Sequence, residues 1–188
     1  MRKASVILMA LGVLFLISSA VVMAQEEEKE MGPQYIGAAK CKVCHNAEKR
    51  GAQYAKWQAS AHAKAYDALA SEEAVAIGKK MSIENPQTSD QCLKCHVTAF
   101  GVKAEMKAES FDMTEGVGCE ACHGPGSEYK SLKIMKDKEA AVAAGLIIPT
   151  EETCVGCHNE ESPTYKEFVF ADFWKKIAHP IPKEEAKE

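Results

Sequence analysis

Four copies of Cys-x-x-Cys-His take up all eight cysteines of the chain: Cys41-Lys-Val-Cys44-His45, Cys92-Leu-Lys-Cys95-His96, Cys119-Glu-Ala-Cys122-His123 and Cys154-Val-Gly-Cys157-His158. On one turn of helix, positions i, i+3 and i+4 share a face, so two thiols can bond the vinyl groups of a porphyrin while the next imidazole reaches its iron. The spacing is that of covalent haem c attachment, and four copies imply four haems. Structural zinc and a disulfide framework also use paired cysteines. Neither requires a histidine directly after the second cysteine every time.

Iron ligands are scarce beyond the motifs. Six histidines less the four inside the motifs leave His62 and His179, so at most two haems can have two histidine ligands. The other two irons need a different sixth ligand or none. Thioether is a known partner of histidine on haem iron, and Met31, Met81, Met106, Met113 and Met135 follow the N-terminal apolar run. An iron left five-coordinate is a place where a small diatomic ligand or a substrate binds.

The N-terminus bears on compartment. Arg2 and Lys3 precede an apolar run over residues 5–22, and Val22-Met23-Ala24 offers a cleavage point before Gln25, the pattern of an export signal. Left uncleaved, the run is long enough to anchor the chain in a membrane. Cleavage leaves 164 of the 188 residues and moves the formal charge from −4 to −6. That mild acidity argues against nucleic acid as a partner and for redox proteins, donor and acceptor, with a basic docking face.

The elements that must hold the cofactors follow. With 41 residues for each haem, separate apolar cores cannot be built, so the haems must share walls and form most of the core themselves. The expected architecture is mostly α, a compact single-domain multihaem cytochrome with little strand. Residues 25–33 read as an acidic leader, 34–179 as the tetrahaem domain and 180–188 as a flexible tail. Residues 48–70 are rich in Ala, Lys and Gln and lack Pro, which predicts a helix with His62 among Ala55, Ala59 and Ala65. Residues 163–178 predict a second helix, capped by Ser162, rich in aromatics and ending beside His179. Shorter helices are expected over residues 72–80 and 138–144, and a loop over residues 81–91.

Around the motifs the chain resembles the cytochrome c-554 family. The resemblance lies in Trp57-Gln-Ala-Ser60-Ala-His62-Ala-Lys-Ala65 after the first motif, Val97-Thr-Ala-Phe100-Gly101 after the second, and Gly116-Val-Gly118 before and Gly124-Pro-Gly126 after the third. It implies tetrahaem electron carriage, three haems with two histidine ligands, an open iron at the second motif and haems stacked in pairs. The family's best-known member carries electrons away from hydroxylamine oxidation, and a capacity to reduce nitric oxide has been discussed for it. By position, His62 and His179 match an early and a late distal histidine. The family's remaining distal histidine falls shortly after Gly-Pro-Gly; here residues 127–135 hold none. Met135 is the first candidate in its place, with Lys133 or an open site behind it.

Together these readings describe an exported cytochrome, periplasmic or extracellular, that passes single electrons between redox proteins. The alternatives are a reductase of nitric oxide, nitrite or hydroxylamine at the open haem, and a subunit of a polymeric wire. No converging acid–base set outside the motifs favours the reductase.

Overall fold

The structure, a computed structural model, describes residues 32–182. The expected export signal, most of the acidic leader and residues 183–188 of the tail lie outside the described residues. Ten α-helices follow in order: α1 (Ala38–His45), α2 (Gln53–Ala59), α3 (Ala65–Ala68), α4 (Glu72–Lys80), α5 (Asp90–His96), α6 (Cys119–His123), α7 (Leu132–Met135), α8 (Lys138–Ala143), α9 (Glu151–Val155) and α10 (Phe170–Ile177). Extended pairing among the described residues amounts to one parallel bridge, Tyr35 to Lys107. The fold is mostly α, as the composition implies.

Two helices obey local rules and stand where expected. Ser71 caps α4 by accepting from the Ala74 amide at 3.1 Å, and Asp137 caps α8 by accepting from Glu139 and Ala140. The expected loop over residues 81–91 contains a 3₁₀ turn, Pro86–Thr88, and α5 begins at Asp90.

The single helix expected over residues 48–70 is broken into four pieces. A 3₁₀ turn, Glu48–Arg50, ends at Gly51 with φ of 101°, and Ala52 follows in the left-handed region. A side chain at Gly51 would stand 2.5 Å from the Pro180 carbonyl oxygen, so the chain bends where its C-terminal end crosses. Ser60 is extended and closes α2, and His62 lies on a second 3₁₀ turn, His62–Lys64. Tertiary contacts override helix propensity here. The His62 carbonyl accepts from the Val117 amide at 3.0 Å, and the Trp57 indole donates to the Val117 carbonyl at 2.8 Å. Ala55 and Ala59 therefore do not share a helical face with His62.

The second long helix is also shorter than expected. Ser162 starts a turn through Thr164 rather than capping a helix, and α10 begins only after Val169. Residues 165–169 are not helical, and the Phe168 ring lies against His158 with centroids 4.9 Å apart and planes 17° apart.

Glu120, the second residue of α6, is 3 % exposed. Its carboxylate accepts from the amides of Ile36 (2.9 and 3.0 Å), Gly37 (2.8 Å) and Gly126 (2.7 Å). Glu115 accepts from the Ala38 amide at 2.7 Å. Two carboxylates thus bind amides at the N-terminal end of α1, where helical N–H groups lack partners. Replacing Glu120 by Ala strands three amides in the interior, and we expect a loss of about 3 kcal/mol or more in urea denaturation of the holoprotein. A loss below about 1 kcal/mol would mean that water replaces the carboxylate.

Candidate haem sites

Each motif forms a helical turn. The first three lie on α1, α5 and α6; in the fourth, Cys154 lies on α9 and its carbonyl accepts from the amides of Cys157 (3.1 Å) and His158 (3.0 Å), which carries the turn to the histidine. Both thiols and the imidazole of each motif accordingly share a side of the backbone. No disulfide joins any two of the eight cysteines.

Thiols of different motifs approach one another. Cys41 of the first motif and Cys119 of the third interact, which raises the Cys41 thiol and lowers Cys119. Burial, then the neighbouring charge and hydrogen bond of Cys95, push Cys157 up to about 12. Cys122 is raised by burial and further by the nearby charge of Cys154. These influences link the first motif to the third, the third to the fourth and the fourth to the second.

The two spare histidines each face a motif histidine. His62 stands opposite His158 with ring centroids 6.0 Å apart and planes at 66°, and His179 stands opposite His123 at 6.1 Å and 69°. A metal about 2 Å from one nitrogen of each ring, with about 1.1 Å more to each ring centre, separates two imidazoles by about 6.2 Å. Each pair therefore has room for one iron. Backbone carbonyls orient three of the motif and spare rings: Nδ1 of His96 lies 2.7 Å from the Ala65 oxygen, that of His123 3.1 Å from Ile147, and that of His179 2.8 Å from Ile177. A carbonyl can only accept, so Nδ1 carries the proton and Nε2 keeps the lone pair a metal needs. Burial first, and then the neighbouring His158, lowers His62; burial also lowers His123 and His158. Near neutral pH these imidazoles are uncharged, as metal ligation requires.

His45 and Met135 share a cavity of about 710 Å³ with Cys41, Cys119, His123 and His179. The volume lies in the range of cofactor pockets. Burial lowers His45 in the cavity wall, against an opposing interaction with Gln53, whose buried Oε1 has no hydrogen-bond partner. Lys133, the runner-up ligand, is exposed and is not among the lining residues.

The packing itself calls for a large apolar group. Among the described residues the buried hydrophobic side chains are Ile36, Ala38, Leu69, Ile83, Leu93, Val97, Tyr129 and Ala141, and no large side chain is fully enclosed. Eight enclosed apolar side chains are a small core for a domain of about 150 residues. Facing histidines, thiols on helical turns and an apolar-walled cavity all fit haem.

Comparison with known proteins agrees. The profile of the family described as "Cytochrome c554 and c-prime" matches residues 40–124. Cytochrome c-554 of Nitrosomonas europaea is 34 % identical over 149 residues, 70 % of this chain and 61 % of the relative. The chain belongs to the cytochrome c-554 family. It is a c-type cytochrome and binds haem c covalently. The chain spans about three fifths of the length of that relative, and no solved structure matches it. The family profile ends just after the third motif, so the fourth motif and His179 stand on their own geometry.

Composition and spacing did not reveal the residues that fix these ligands in place. Glu115 and Glu120 read as ordinary acids near a motif, and Thr98 as part of an apolar run. Thr98 is buried; its hydroxyl donates to the Gly116 carbonyl at 3.0 Å and accepts from the Gly118 amide at 2.7 Å, pinning the segment that holds the His62 turn. No local sequence signal marks such contacts. From the facing rings we expect His62→Ala to convert the haem of the fourth motif, and His179→Ala that of the third, from low to high spin. Electron paramagnetic resonance of the oxidised variants reads this directly. A change at both haems in either variant, or at neither, would show that the rings do not share an iron.

Proposed function

We propose that this cytochrome is an exported carrier of single electrons between redox proteins, with four haems held by the four motifs. The observation that carries the reading is the pairing of His62 with His158 and of His179 with His123. An iron held by two imidazoles has no position for a substrate, which suits carriage rather than bond-making. Bound haem supplies reversible one-electron exchange at iron.

The chain's own residues do the rest. Eight cysteines fix the cofactors in place, and His45, His96, His123 and His158 are the proximal ligands. His62 and His179 complete two irons, and Met135 serves the first motif from the wall of the cavity it shares with His45. Carbonyls of Ala65, Ile147 and Ile177 hold ring orientation, and little reorganisation is then needed when an electron arrives. The thiol contacts support a path through neighbouring cofactors in the order first, third, fourth, second. Export is supported by the N-terminal pattern of charge, apolar run and small residues. No helix of the described residues is long and apolar enough to cross a membrane.

Small-molecule reduction at the second motif is the other reading that an observation favours. His62 and His179 both face other motifs, which leaves His96 without either of them. Its surroundings are apolar: Leu69, Leu93 and Val97 form a buried cluster with Tyr66, Phe100 and Met113 against Cys92. Such walls admit a diatomic ligand but offer few groups to deliver protons.

Two measurements decide between these readings. Intact mass of the mature protein should equal the chain from Gln25 plus four haems, and acid–acetone should release none; a mass fitting zinc or disulfides would end the haem reading. The reduced protein should bind carbon monoxide at one haem, yet turn over nitric oxide, nitrite or hydroxylamine slowly. No spectral change under carbon monoxide would mean that every iron is six-coordinate, and rapid multi-turnover consumption would make the protein an enzyme.

A further inference from the structure

Charge is distributed unevenly along the chain. Over residues 40–56, around the first motif, Lys40, Lys42, Lys49, Arg50 and Lys56 are exposed and Glu48 alone carries the opposite sign. Over residues 151–167, around the fourth motif, the balance inverts: Glu151, Glu152, Glu160, Glu161 and Glu167 are exposed, against Lys166.

The cations of the first motif surround an apolar spot. Val43, between the two cysteines, is 82 % exposed, and Cys44 beside it is exposed too. Lys42 sits 5.4 Å from the centre of the Tyr54 ring, and Lys56 and Lys176 line the cavity that holds His45. Glu115 and Glu120 point inward to backbone amides and Asp172 pairs with Lys175 at 3.2 Å, so Glu48 is the exposed acid within this stretch.

We propose that this face docks a redox protein that is acidic around its own redox centre, and that the electron crosses at the haem of the first motif. The proposal rests on the carrier reading. In the transfer one electron leaves the partner's reduced centre and one ferric haem becomes ferrous; no bond forms or breaks and no proton moves. Net charge points the other way, since a mature chain of −6 calls for a basic partner. At about 0.1 M salt, however, screening over about 10 Å makes the local cations decide what approaches this edge. An apolar centre with a charged rim is the anatomy of a protein interface. A lipid surface would meet the same cations, but α1 alternates its lysines with cysteines and offers no broad apolar face to enter a bilayer.

The test uses the mature four-haem protein and an acidic plant-type [2Fe–2S] ferredoxin as the probe. With both proteins oxidised, so that no electron flows, calorimetry measures binding; stopped flow then measures reduction of the cytochrome by reduced ferredoxin. In low salt we expect the combined Lys40→Glu, Lys42→Glu and Lys49→Glu variant to lose about tenfold or more in both affinity and rate, and the wild-type values to fall as salt rises. The combined Glu151→Lys, Glu152→Lys and Glu160→Lys variant should lose neither. Unchanged binding in the first variant, or an equal loss in the second, overturns the proposal. Binding to phosphatidylglycerol vesicles that the first variant loses, with ferredoxin binding intact, assigns the face to a membrane and overturns it as well. Failure of the carrier reading looks different: wild-type protein would bind ferredoxin and still accept no electron from it.

Discussion

A buried carboxylate joins the helices that carry the first and third motifs. Glu120 sits one residue after Cys119 and binds amides 84 and 83 residues earlier in the chain, at Ile36 and Gly37, as well as that of Gly126 just beyond its own helix. The helices it joins have eight and five residues, far below the length at which a helix is stable alone. Their mutual position must come from contacts of this kind. An ionised group in the interior is costly unless hydrogen-bonded. Here the amides at the head of α1 supply the bonds, and the first turn of α6 favours the negative charge. The same bonds bring Cys41 beside Cys119, so the geometry of the first and third motifs follows from one side chain.

A second junction governs the fourth motif. Residues 116–118 receive the Thr98 hydroxyl, the Trp57 indole and the His62 carbonyl within three residues. Gly116 has φ of 78°, and a side chain there would lie 2.7 Å from the His62 oxygen. Only glycine fits. The reach of His62 to His158 is therefore set by residues just after the second motif and just before the third, and neither touches the fourth.

What was legible in the sequence and what was not divides along these junctions. The motifs, the shortage of histidines and the helices capped by Ser71 and Asp137 depend on residues close in the chain, and could be read from spacing. The break in residues 48–70 depends on Pro180 crossing Gly51, and on the Val117 amide claiming the His62 carbonyl. Nothing near those residues in the chain announces either contact. The non-helical stretch after Ser162 is similar: its residues suit a helix, but Phe168 lies on His158 from a segment that forms none. His62 and His179 were identified by counting. Which motif each faces needed the fold.

Charge and motif order then combine into a direction. The mutual influence of the thiols puts the first motif at the start of the series and the second at its end, with the fourth next to the second. Lys94 of the second motif pairs with Glu161 just past the fourth, so the acidic stretch lies at the second-motif end while the cationic stretch surrounds the first. A chain with one sign over its whole surface would attract donor and acceptor to the same places, and each would obstruct the other. If the proposed carrier function holds, opposite signs at the two ends would draw partners of opposite charge to different motifs, and an electron delivered at one end would have the length of the series to travel before it left. Since fields at the protein surface act over about a Debye length, this separation holds at moderate salt and weakens for both partners together as salt rises.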